Sequence, residues 1–249
     1  MKFLILKIFS YIFSIVFYLI FGVLLLLFEV IQRICLNIIG YNAHKNSVAL
    51  FNWLLLRSLH IVGTSYTINL PKSLPVGKPV IIVSNHQSMW DIPPLIWFLR
   101  RLHPKFISKK ELGKGIPTIS YNLKHGGSVL IDRKNPDQAV EEIKKIARYI
   151  SEHNRSVVIF PEGTRSRTGI NKAFKQKGLK ILFKYAPQAY VLPVSISGSW
   201  RLQKYGVFPI PLGTHLKFQI QEPIKVSDFN HDVLIDILEK QITNNVNLK

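Results

Sequence analysis

Between Val80 and Asp91 the chain reads Val-Ile-Ile-Val-Ser-Asn-His-Gln-Ser-Met-Trp-Asp, and His86 and Asp91 are the side chains there with types suited to acid–base chemistry. An imidazole is a general base matched to neutral pH. A carboxylate bonded to one ring nitrogen fixes the tautomer and leaves the other nitrogen to take a proton. On a continuous helix two residues five apart are separated by about 140°, so these two can meet only if His86 lies in a turn ahead of the helix. Pro93 and Pro94 fit a helix starting near Asp91, because proline is tolerated in a first turn. Asp91 is then expected at or near the N-cap, where it can also hold backbone N–H groups. For this pair taken alone, the plain alternative is a strand-end histidine beside a capping aspartate.

A second polar stretch, Phe160-Pro-Glu-Gly-Thr-Arg-Ser166, follows a buried run. Gly163 permits convergent backbone N–H groups, and Arg165 offers a fork that matches phosphate oxygens. It reads as a phosphate cradle or, on its own, as a strand-ending turn with a solvated arginine. Arg133 ends Gly127-Ser-Val-Leu-Ile-Asp-Arg133, and a salt bridge to Asp132 is its ordinary alternative. The single Cys35 lies far away in an apolar run and no G-x-S-x-G elbow occurs, so direct attack by a substrate hydroxyl is favoured. A covalent route through Ser84 or Ser88 is a minor alternative to their roles as turn and cap residues.

Taken in order, Asn85-His-Gln-Ser-x-x-Asp91 with its H-x-x-x-x-D spacing, Gly127 to Arg133, Phe160 to Ser166 and Val191-Leu-Pro-Val-Ser-Ile-Ser-Gly198 resemble the four blocks of the glycerolipid acyltransferases. The resemblance covers roughly residues 45–225 and is closest to bacterial 1-acylglycerol-3-phosphate acyltransferases. It implies that His86 and Asp91 are catalytic and that Arg133, Glu162, Gly163, Thr164 and Arg165 bind the glycerol phosphate, with Glu162 orienting Arg165. Lys109 is a weaker assignment of the same kind, and Pro193 would shape an acyl-pocket wall. The implied reaction moves an acyl group from acyl carrier protein or acyl-CoA to the sn-2 hydroxyl of lysophosphatidate, giving phosphatidate, with no cofactor and no metal. Glycerol 3-phosphate or another lysolipid is the alternative acceptor. The implied setting is a membrane, bacterial inner membrane by the resemblance, with the catalytic domain facing the cytoplasm.

The chain has 249 residues, 33 Lys+Arg against 14 Asp+Glu and a formal charge of +19. That balance implies anionic partners: nucleic acid, anionic lipid or phosphorylated substrates. No nucleic-acid motif is recognisable, and neither G-x-x-x-x-G-K-[ST] nor G-x-G-x-x-G occurs, which disfavours nucleic-acid and nucleotide readings. H-E-x-x-H is absent and the histidines are scattered, so no metal site is expected. Basic residues crowd Arg100 to Lys114 and Glu162 to Lys184, as a solvated face, a contact for anionic membrane lipid or a dock for an acidic carrier protein.

The elements that must position these residues follow from periodicity. Ile8 to Phe28 is free of charge and as a helix is about as long as the roughly 30 Å hydrocarbon core is thick. Ser47 to His60 is apolar almost all round, and a link over Tyr41 to Asn46 would let it fold back on the first helix. The resemblance favours a two-helix anchor in one leaflet; a spanning helix is the alternative. Domains are therefore expected at 1–62, a membrane-associated hairpin, and 63–249, an α/β domain with a largely parallel central sheet flanked by helices. Strands are expected at Ser65 to Leu70, Val80 to Ser84, Lys105 to Ser108, Ser128 to Asp132, Ser156 to Phe160, Tyr190 to Ser195 and His215 to Gln221. Helices are expected near Ile92 to Leu102, from Asn135 with Gln138 closing a capping box, at Lys172 to Tyr185 and at His231 to Ile242. The stretch from Lys109 to Gly127 reads as irregular. In such sheets ligands bind beyond the carboxyl ends of strands.

Overall fold

The computed structural model describes residues 2–246. Its strands are β1 (Ser65–Asn69), β2 (Val80–Ser84), β3 (Pro104–Lys109), β4 (Val129–Ile131), β5 (Ser156–Ile159), β6 (Tyr190–Ser197), β7 (His215–Ile220) and β8 (Ile224–Lys225). They form one sheet in the order β1-β7-β6-β2-β5-β3-β4, with β8 added to β6. β2 pairs in parallel with β5 and β6, and β3 in parallel with β4 and β5. Only β7 and β8 join antiparallel, both on β6, while β1 runs parallel to β7. The sheet is thus parallel in its centre, as expected for strands whose two faces are both covered.

Alternation along β2 explains that double cover, since successive side chains of a strand point to opposite faces. Val80 and Ile82 pack in one core with Trp90, Leu95, Val158 and Leu192, and Ile81 and Val83 in the other with Ile146, Val157, Leu179 and Leu234. The second face is covered by α5 (Pro136–His153), α6 (Gln176–Tyr185) and α7 (His231–Asn244), and the first by α3 (Ile92–Phe98) with α1 (Lys2–Ile34) and α2 (Tyr41–Ser58).

α1 continues through a π turn, Cys35–Ile39, and Gly40 at φ 113, a value that favours glycine, reverses the chain into α2. The reversal therefore precedes the link expected at Tyr41 to Asn46, which forms the first six residues of α2. α2 folds back along α1, with the Phe28 and Phe51 rings 5.3 Å apart. Part of its apolar surface is taken up by the protein itself: Val48 and Leu55 are buried, and Val48 joins the same core as Val80. α1 is long and apolar enough to cross a membrane, over Leu6–Ile39. One stripe of it, Ser10, Ser14, Phe17 and Phe28, is buried, while Ile8, Ile12, Leu19, Val23 and Val30 are exposed.

Other departures are local. α3 ends at Phe98 and a 3-10 turn carries the chain to Leu102. A short helix, α4 (Ile119–His125), occupies part of the stretch read as irregular; it begins at Thr118 with a φ of 59 and no side-chain cap, so no start signal marks it. α6 begins at Gln176 because Lys175 N–H is drawn to the Pro161 carbonyl at 2.9 Å. Asn135 caps α5, but Gln138 does not close the box: its side chain bonds the Asp132 amide and the Leu130 carbonyl, tying the helix to β4.

Candidate active site

Five parallel strands end at one edge of the sheet, and each delivers a polar residue there: β2 His86, β5 the Phe160–Arg165 turn, β3 Lys109, β4 Arg133 and β6 Ser199. The register makes this unavoidable, since Lys109 is level with Ile131 and Val83 with both Ile159 and Pro193. Ligands bind at such edges.

The turn after β2 is built around Asp91. Ser88, not Asp91, is the N-cap; its hydroxyl accepts from Trp90 N–H, and Asp91 is the acid that closes a capping box onto the Ser88 amide. Asp91 Oδ2 accepts from Ser88 N at 3.0 Å, Gln87 N at 2.7 Å and His86 Nδ1 at 2.8 Å, while the Ser199 hydroxyl donates to Oδ1. The carboxylate is wholly buried, and four donors offset the desolvation of its charge. With Nδ1 committed to Asp91, His86 presents Nε2, which has no partner among the described residues. The ring stacks on Phe160 at 4.0 Å and 17°, so the strand-end phenylalanine of β5 fixes its plane. Ser84 and Ser88 are both fully buried and engaged, Ser84 with the Asn85 carbonyl, which leaves them as turn and cap residues.

The Phe160–Arg165 turn is fastened to the histidine turn at two points. Ser166 N donates to the His86 carbonyl at 2.7 Å, and His86 N donates to Glu162 Oε1 at 3.2 Å. Glu162 thus holds the histidine backbone and does not orient Arg165, as the resemblance had implied; the arginine reaches Gln203 Oε1 at 3.5 Å instead. Burial pushes the Glu162 carboxyl up to about 7, against the His86 and Lys172 amides and the Lys172 charge, which favour its ionised form. Its Oε2 is buried without a partner among the described residues. Gly163 sits at φ 73, where a side chain would also crowd Lys175 at 3.2 Å. Lys172 Nζ bonds the Thr164 hydroxyl at 2.8 Å and the Arg165 carbonyl at 3.2 Å.

Arg133 does not pair with Asp132, which lies 3.8 Å from Lys110. Partial burial and the Arg165 charge lower the Arg133 pKa, against the opposing pull of Glu111. Arg133 and Arg165 thus bring two like charges to this edge. Lys109 lies on the same edge but is exposed and makes no hydrogen bond or ion pair among the described residues. Pro193 is buried in β6 beside Val83, inside the sheet. Asn85 and Ser199 escaped the sequence reading. Asn85 bridges β2 to β6 through Ile196 N at 2.7 Å and Ile196 O at 2.9 Å. The only signal for Ser199 is that it directly follows the strand-end block closing at Gly198.

A strand-end histidine locked by a buried aspartate, beside a cationic turn on a parallel α/β sheet, is an arrangement that can take up a proton next to a bound anionic group. Residues 65–197 match the Acyltransferase family model, and the chain belongs to this family. It is 29% identical over 193 residues to the 1-acyl-sn-glycerol-3-phosphate acyltransferase of Cocos nucifera, covering 75% of this chain and 56% of that protein. It is 34% identical over 148 residues to the enzyme of the same name from Helicobacter pylori, covering 55% and 60%. The chain thus spans less than two thirds of these relatives' own length. The crystal structure of the 1-acyl-sn-glycerophosphate acyltransferase PlsC from Thermotoga maritima superposes with a TM-score of 0.76 at 25% identity, covering 96% of this chain and 95% of that one.

Proposed function

We propose that this chain transfers an acyl group from a thioester to the sn-2 hydroxyl of 1-acyl-sn-glycerol 3-phosphate, forming phosphatidate. The observation that carries the reading is the Asp91-locked His86 beside the Arg133 and Arg165 pair. The acceptor hydroxyl gives its proton to His86 Nε2 as its oxygen attacks the thioester carbonyl. Asp91 stabilises the imidazolium that forms. The tetrahedral intermediate collapses, the C–S bond breaks, and the departing thiolate takes the proton back from Nε2. Arg133 and Arg165 hold the acceptor phosphate, with Thr164 and Gly163 shaping the turn and Lys109 at its margin. The names of the relatives support lysophosphatidate as acceptor, and the donor is acyl carrier protein or acyl-CoA.

The same reading makes residues 1–62 a membrane-associated hairpin and 63–249 the catalytic domain, facing the cytoplasm where thioesters are made. It is supported by the exposed apolar stripe of α1 and by contacts that tie the other stripe to the domain. Ser14 bonds the Ile210 amide at 2.9 Å, Phe17 meets Trp90 at 5.4 Å, Glu29 accepts from Thr118 N, and Asn37 meets the Tyr121 hydroxyl at 3.4 Å. Purified protein offered radiolabelled acyl-CoA and acyl carrier protein thioesters with a panel of acceptors should give labelled phosphatidate from lysophosphatidate. Label appearing only with glycerol 3-phosphate or another lysolipid would reassign the acceptor.

A further inference from the structure

On the sheet edge opposite His86, where β3, β4 and β5 begin, basic side chains gather around Tyr41. The Arg155 guanidinium lies 3.8 Å over the Tyr41 ring and Lys105 Nζ lies 4.9 Å from its centre. The His103 ring stacks on it at 6.1 Å, its nitrogens 3.4 Å from the Tyr41 hydroxyl and 3.5 Å from Lys45 Nζ. Between α2 and β3 lies a cavity of about 20 Å³ lined by His44, Lys45, Arg100, His103, Lys105 and Asn122, with no acidic side chain in its wall.

Two groups there are buried without an anionic partner among the described residues. Lys105 is only 6% exposed and has no hydrogen bond or ion pair among the described residues; His44 is 1% exposed, and its Nε2 is unsatisfied. A buried cation is normally matched by a carboxylate, because an uncompensated one is costly. Here the neighbours are cations instead. Burial, with Arg155 and Lys45 beside it, lowers the Lys105 ammonium to about 7, and burial with neighbouring positive charge lowers His44 and His103 to about 4. The protein supplies several donors and positive charges to one small space and no anion.

We propose that this pocket is an anion site separate from the catalytic edge, and that it takes a phosphate group. The cavity has room for one oxygen, which enters against Lys105 and His44 while the remaining oxygens face Lys45 and Arg100. Lys105, Lys45 and Arg100, with the free ring nitrogen of His44, suit the several oxygens of a phosphate better than a halide. His44, the first residue of its lining, follows the apolar run Leu6–Ile39 by five residues, so a membrane-embedded α1 would bring the site near lipid headgroups. Two sources share this chemistry, a lipid phosphomonoester headgroup and free inorganic phosphate. The proposal does not depend on the reaction assigned to His86.

The test uses the full chain carrying Arg133→Ala and Arg165→Ala, so that the other cationic pair does not compete. Inorganic phosphate is titrated calorimetrically into the detergent-solubilised protein, with chloride as the control anion. In a parallel arm the protein is bound to phosphatidylcholine nanodiscs with and without phosphatidate. Saturable binding is expected in at least one arm, and Lys105→Met should weaken it about tenfold or more, the loss of a charge-assisted contact. Arg155→Gln, which removes the cation over Tyr41, should weaken it too and serves if Lys105→Met fails to fold. Binding of inorganic phosphate assigns the free anion, and binding only with phosphatidate discs assigns the headgroup. Absence of saturable binding in both arms, or binding that neither substitution changes, overturns the proposal.

Discussion

At the scale of single residues, the site rests on one carboxylate. Asp91 is buried, and the four donors on it come from His86, Gln87, Ser88 and Ser199. His86→Ala should therefore lower turnover by at least about 10² with folding and membrane recovery unchanged; turnover near the unmodified level would end the general-base role. Asp91→Asn should be nearly as severe, because an amide can bond the ring but does not stabilise its cation. Ser199→Ala should lower kcat more than it changes KM for either substrate, since the hydroxyl reaches the positioning carboxylate and Gln87 Oε1 at 3.5 Å. Glu162 makes a prediction of a different kind. Its carboxyl is raised from an ordinary 4.5 to about 7 in the folded chain, so between those values the folded state holds a proton that the unfolded state has lost. Stability then falls as pH rises through this window, by roughly 3 kcal/mol at about 1.4 kcal/mol per unit, and the full cost is present above pH 7. Glu162→Gln keeps an acceptor for the His86 amide and removes the charge. Its unfolding temperature, measured against the parent protein, should gain from pH 5 to pH 8, and an equal difference at both pH values would contradict the raised carboxyl.

At the scale of elements, the strands were legible wherever their apolar runs were long and bounded by turn residues. β2, buried at all five positions, is the plainest case, because a run of β-branched residues ending in Asn85 and His86 has few other readings. α4 was not legible, because it is short and begins at a strained Thr118 without a capping bond. Convergence at one sheet edge followed from strand ends alone, whereas side-chain partners did not. Glu162 bonding the His86 amide in place of Arg165, and Asp91 acting inside a box capped by Ser88, depend on how two turns are fastened together after folding. The β5 turn and the end of β4 are predicted to serve the acceptor phosphate. Arg165→Ala and Arg133→Ala should each raise KM for the acceptor about ten- to a hundredfold while leaving KM for the donor nearly unchanged. Arg165→Lys should remain impaired, since a single ammonium lacks the planar fork. Equal changes for both substrates would argue that the pair binds the donor instead.

At the scale of the whole molecule, the open question from the sequence was whether the apolar N-terminal run crosses the membrane or rests in one leaflet. The sequence could not choose, because length and hydropathy are the same in both cases. We propose the one-leaflet arrangement from the packing of α1. Its contacts with the rest of the chain run from Ser14 at Ile210 to Asn37 at Tyr121, about 35 Å of helix, more than the roughly 30 Å of hydrocarbon in a bilayer. A helix standing across the membrane would carry those domain loops, with their polar backbone, into the lipid beside it, where unsatisfied groups are costly. Lying along the interface, α1 keeps its buried stripe on Trp90 and the domain and offers Ile8, Ile12, Leu19 and Val23 to acyl chains. Tags at the two ends of the chain should then be labelled from the same side of sealed, oriented vesicles, and labelling from opposite sides would require a spanning helix. Deleting residues 1–40 should aggregate the protein by uncovering Phe51, Leu55 and Trp90, which α1 covers in the intact chain. A truncated chain that stays monomeric, active and membrane-bound would show that α2 suffices. In the one-leaflet arrangement Trp90, one residue before Asp91, rests on Phe17 and Phe21, so the catalytic turn and the lipid-facing helix share a side chain. In that arrangement the depth of α1 in the leaflet would set the depth of His86.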